Sequence, residues 1–60
     1  MNKFKLKYKR IGKSPAVTNW LDEQTARTWF DQLNNDCSCA WCEFICNDGN
    51  EDVIMDEFVQ

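Results

Sequence analysis

Lys3-Phe4-Lys5-Leu6-Lys7-Tyr8-Lys9 alternates charge with apolar bulk without a break. A period of two fits a strand with one buried and one wet face, and it fits no helix. Two acidic runs, Trp41-Cys42-Glu43-Phe44-Ile45-Cys46 and Val53-Ile54-Met55-Asp56-Glu57-Phe58, are strand-like as well. Residues 1–13 hold every lysine and no acid, whereas residues 36–60 hold seven acids and no lysine, arginine or histidine. Unlike charges facing each other across a ladder are favourable, so the basic strand is expected to pair with the acidic ones.

Between these runs, Gly12-Lys13-Ser14-Pro15 reads as a turn, and Ala16-Val17-Thr18-Asn19-Trp20-Leu21 as a short second strand. Asp22 then occupies a helix N-cap position, and Glu23 puts a negative charge in the first turn, at the positive end of the helix dipole. Ala26, Trp29, Phe30 and Leu33 recur at i, i+3, i+4 and i+7, one apolar stripe on a helix of about three turns. Asn34-Asn35-Asp36 ends it, because these residues compete for backbone hydrogen bonds and tolerate left-handed conformations. A third strand is predicted from Cys39 or Ala40 to about Asn47, with Asp48-Gly49-Asn50 turning it into the fourth. The fold class is therefore α+β: one domain over residues 1–60, a small antiparallel β-sheet with one α-helix packed on one face. Its order is β-β-α-β-β, or β-α-β-β if the first hairpin does not form.

Sixty residues are near the lower end of what folds alone, since a chain this short buries only about 60% of the surface its unfolded form exposes. Three tryptophans, four phenylalanines and a tyrosine supply the apolar area that compensates. They leave no spare volume for an enclosed active site. A net charge of −3, with acidic strands beside the lysines, disfavours nucleic acid as a partner. It is also too small for an acidic mimic of DNA. No apolar run approaches the roughly 20 residues that cross a bilayer, and the basic start leads into no secretory signal. The expected location is the cytoplasm, with no membrane contact.

Strand faces decide what is left for partners. Phe4, Leu6 and Tyr8 should face the helix and leave Lys3, Lys5, Lys7 and Lys9 wet. In the third strand Cys42, Phe44 and Cys46 share one face and Trp41, Glu43 and Ile45 the other; in the fourth, Val53 and Met55 oppose Ile54 and Phe58. One helix covers one face only, so a mixed apolar and charged patch remains on the other, as at contact surfaces. The competing reading folds the lysine stems over that patch and leaves a monomer.

Cys37, Cys39, Cys42 and Cys46 form C-x-C-x2-C-x3-C. Structural zinc sites usually draw four ligands from two separated pairs, and here all four thiols lie within ten residues with no histidine. The iron–sulfur spacing is missed by one residue at its first interval. On a strand, Cys42 and Cys46 are about 13 Å apart, too far to share a metal or a disulfide. Free, partly buried thiols are the leading expectation, and a metal survives only if the segment is a loop. Without histidine, and with the thiols in an acidic half, neither acid–base nor cysteine catalysis is provided for. Gly12-Lys13-Ser14 lacks the rest of a phosphate-binding loop.

In general character the chain resembles the small early-region proteins of lambdoid bacteriophages. The resemblance rests on the lysine-alternating start from Lys3 to Lys9, the compact aromatic pair Trp29-Phe30, and the acidic tail ending Phe58-Val59-Gln60. It implies a short non-enzymatic protein that binds and redirects a host protein, and it assigns no residue a role. The expected function is accordingly a protein-interaction module without a cofactor. Its contacts come from Trp41, Ile45, Glu43, Lys5 and Lys7 on the open face, which also offers a route to a homodimer, or from an exposed edge strand. The alternative is a small zinc-dependent nucleic-acid-binding regulator that uses Cys37, Cys39, Cys42 and Cys46.

Overall fold

The computed structural model describes residues 2–60. In chain order the elements are β1 (Phe4–Arg10), β2 (Ala16–Val17), α1 (Glu23–Asn34), β3 (Cys39–Asn47) and β4 (Asp52–Val59). They form a four-stranded antiparallel sheet, order β2-β1-β3-β4, with α1 packed across β1 and β3. This is the α+β arrangement, and the β-β-α-β-β order, that the sequence predicts.

The basic and acidic strands pair in the sheet centre. Leu6 faces Phe44, Lys7 faces Glu43 and Tyr8 faces Cys42. The alternation of β1 therefore sends Phe4 and Leu6 into the core and the lysines to the other side. Asp22 caps α1 by accepting the Thr25 N–H at 3.2 Å. Phe44 sits at the centre of the core, its ring meeting Phe4 and Phe30 edge-on at 5.5 and 5.7 Å, while Phe30 meets Phe58 at 5.2 Å. Gly49, at φ +104°, makes the β3–β4 turn, where Asp48 accepts the N–H groups of Asn50 and Glu51.

Three expectations are corrected. The second strand is only two residues long, because Thr18 takes the Leu6 N–H on its side-chain hydroxyl at 3.1 Å and the ladder resumes only as a single bridge between Phe4 and Leu21. Trp29 is 43% exposed and belongs to the rim of the helix stripe, since α1 lays Ala26 and Phe30 on the sheet and leaves Trp29 at an open cleft beside Tyr8 of β1. Phe58 joins the helix face instead of sharing a side with Ile54. A bulge lies where Phe44 pairs with Asp56 but Ile45 pairs with Ile54, and the extra residue, Met55, reverses the alternation of β4 beyond it.

The candidate contact surface

The face of the sheet away from α1 is built by register alone. One row across it is Lys5-Ile45-Ile54, the next Val17-Lys7-Glu43-Glu57, and the third Lys9-Trp41-Val59. The bulge in β4 is what brings Ile54, Glu57 and Val59 to this side together. Charge runs across the surface in one direction, with lysines on β1 and acids on β3 and β4. Between them lies a shallow depression of about 360 Å3 floored by Ile45 and rimmed by Lys7, Val17 and Ile54.

Of the five residues expected to contact a partner, four offer surface. Lys7 is exposed, and Trp41, Glu43 and Lys5 are half-buried. Ile45 is the correction: it is 6% exposed although it lies on the open side and outside the main core cluster. The cause is the Lys5–Asp52 ion pair at 2.8 Å. A bridge from β1 to β4 has to cross the strand between them, so the lysine stem lies over Ile45. Lys5 also stacks its ammonium 4.6 Å from the Trp20 ring. The Lys5 ammonium and the Asn47 amide hold the Asp52 carboxyl below its ordinary range. The expected lysine cover thus exists at one end of the face, while Ile54 at 51% and Val59 at 81% stay open.

Glu43 and Glu57 face each other directly across β3 and β4. Like charges so placed repel. The ion pairs among the described residues are Lys5–Asp52, Arg10–Asp36 and Arg27–Asp56, and neither glutamate takes part. Lys7 faces Glu43 across β1 and β3, the pairing of unlike charges expected of the basic and acidic strands. Glu57 and Val59 escape sequence reading as surface residues because nothing in the sequence marks Met55 as a bulge.

The cysteines lie elsewhere. Cys39 and Cys42 are fully buried, Cys46 is half-buried, Cys37 is exposed, and all are free thiols. Cys39 reaches the inner side because a second bulge, opposite Lys9 and Arg10, leaves Ala40 unpaired with β1. Its thiol donates to the Trp41 carbonyl at 3.3 Å. Burial pushes the Cys42 thiol up to about 12. Among the described residues no group of three or more cysteines, aspartates or glutamates is arranged to hold a metal ion. A second cleft, about 290 Å3, opens between α1 and β1 beside Tyr8, Trp29 and Leu33. Its one cation, Arg10, is already committed to Asp36 at 2.7 Å and Ser38 at 3.0 Å.

No described helix is long and apolar enough to cross a membrane. No protein-family model matches the chain, and no significant match to it is found among curated proteins or among solved structures.

Proposed function

We propose that this protein is a small non-enzymatic interaction module of the cytoplasm, one that binds and modulates another protein through the uncovered face of its sheet. A single observation carries the reading. One helix covers one side of a four-stranded sheet, and the other side keeps Trp41, Val17, Ile54 and Val59 among charged neighbours with no second layer over them among the described residues. Apolar area of this kind, ringed by charge, is characteristic of contact surfaces, and a half-buried tryptophan suits a binding hot spot. The basic-to-acidic gradient across the face gives a partner one preferred orientation.

The test is affinity capture from a lysate of cells that express the protein. Wild type is compared with a variant carrying Trp41→Ser and Lys7→Ser and with Cys37→Ser, each first shown to be folded. A protein retained by wild type and by Cys37→Ser, and lost from the face variant, is the expected outcome. Equal retention by the face variant, or loss on Cys37→Ser alone, overturns the reading, as does the absence of any retained protein.

A further inference from the structure

The outer edge of β4 is eight residues long and has no neighbouring strand among the described residues. Its free backbone groups follow from the ladder. Gln60 donates its N–H to Ala40 at 2.8 Å and Asp48 donates to Glu51 at 3.2 Å, while Asn47 turns its N–H the other way, to Lys3 at 2.9 Å. Antiparallel pairs alternate, so with this register Asp52, Ile54, Glu57 and Val59 direct N–H and C=O outward. The Glu57 N–H is likewise turned away from β3, but it is taken by the Asp56 carboxylate at 2.8 Å, so the open donors of the edge are those of Asp52, Ile54 and Val59, and an added strand has to displace that carboxylate at Glu57.

The same four residues place their side chains on the open face, and read in order they are acidic, apolar, acidic, apolar. Within the molecule the acidic strand β3 is satisfied by the basic, alternating strand β1. On its other side β3 meets β4 with Glu43 against Glu57, a mismatch that a cation beyond β4 relieves. The geometry points to an edge that adds one extended segment of a partner protein, antiparallel to β4, whose alternate residues read apolar, basic, apolar, basic. Its apolar residues lie beside Val59 and Ile54 and its basic residues beside Glu57 and Asp52, which extends each row of the face by one strand. A second copy of this chain is a poor occupant, because its β4 brings the same acids and no cation to the edge.

This inference rests on the interaction-module reading and specifies its partner. The probe is the blocked peptide acetyl-VTKTVTKT-amide, added to isotope-labelled protein and followed by amide shifts and hydrogen exchange. Shifts and added protection at Ile54 and Val59 are expected, with affinity about tenfold above that of acetyl-VTETVTET-amide and falling with added salt. N-methylation of the valines and lysines, which blocks the docking hydrogen bonds but keeps the charge, should abolish binding. Glu57→Lys, which also removes the repulsion from Glu43 and so leaves the fold intact, should bring the two peptides within about twofold of each other. Equal binding of the two peptides to wild type, undiminished binding of the methylated one, shifts confined to Trp41 and Lys7, self-association through β4, or no shift at millimolar peptide each overturn the proposal. Any of these leaves the capture experiment on Trp41 and Lys7 to decide the broader reading separately.

Discussion

Replacing Phe44 by alanine tests the core where it is densest. The ring is 1% exposed, is touched edge-on by Phe4 and Phe30, and has the Arg27 guanidinium 4.4 Å from its centroid. A phenylalanine buried in full removes roughly 150–250 Å2 from water, about 4–6 kcal/mol at about 25 cal/mol per Å2 and an upper bound for a real unfolded chain. Core substitutions of this kind cost about 3–5 kcal/mol. At about 0.05–0.15 kcal/mol per residue, sixty residues carry about 3–9 kcal/mol in all. Phe44→Ala should therefore leave a large fraction of the chain unfolded at 25 °C. Phe44→Leu keeps most of the volume and loses the aromatic contacts, about 1–3 kcal/mol, so it should remain foldable and measurable. Urea titration followed by far-UV circular dichroism, extrapolated linearly, gives both values. An alanine variant within about 1 kcal/mol of wild type would mean that the aromatic cluster is not the core, and the packing described above would be refuted.

Trp29→Ala should cost only about 1–2 kcal/mol in the same titration, because the side chain is 43% exposed and its loss leaves a groove open to water, not a closed cavity; a loss as large as that of Phe44→Ala would return it to the core. Asp36 is held at about 2, below its ordinary 3.8, first by the Arg10 hydrogen bond and then by Ser38. Its contribution is present above about pH 4 and is lost as pH falls through 2, so Arg10→Met should flatten that part of the acid unfolding curve, and an unaltered acid limb would count against the pair. Iodoacetamide should modify Cys37 first in the folded protein and spare Cys39 and Cys42, as mass spectrometry of timed samples can show; prompt labelling of Cys42 would contradict its burial. Because that thiol is raised from 9.0 to about 12, the stability linked to it is intact below pH 9 and declines between pH 9 and 12.

The parts of this fold legible in the sequence are those set by strict local periodicity. Phe4 and Leu6 alternate with lysines over a run too regular for anything but a strand, and Asp22, Ala26 and Phe30 fix the start and inner face of α1. What escaped reading depends on events one residue wide. Thr18 substitutes a hydroxyl for a backbone acceptor and ends β2 early, an exchange that composition does not reveal. Met55 bulges and moves Phe58 to the side opposite Ile54, because parity beyond a bulge is reversed whatever the side chains prefer. For the candidate surface, Trp41, Glu43 and Lys7 were found by face counting. Ile45 was misjudged because its cover comes from Lys5, two strands away from the Asp52 that holds it there. Glu57 and Val59 were hidden behind the same bulge.

The sheet order carries a consequence for how the molecule assembles. β1 is synthesised first yet lies inside the sheet, and its main partner β3 begins at Cys39, almost thirty residues after β1 ends at Arg10. Until β3 is present, the Phe4 and Leu6 side of β1 has only the two-residue β2 and the start of α1 to lean on, and neither closes a core. The β3–β4 hairpin, by contrast, is entirely local, with a turn held by Asp48 and Gly49. The β1–β3 pairing is therefore the long-range step, and its loop-closure entropy is spent before the Phe4–Phe44 contact repays it. The opposite charges of β1 and β3 then draw the right strands together at the step where chance encounters are slowest.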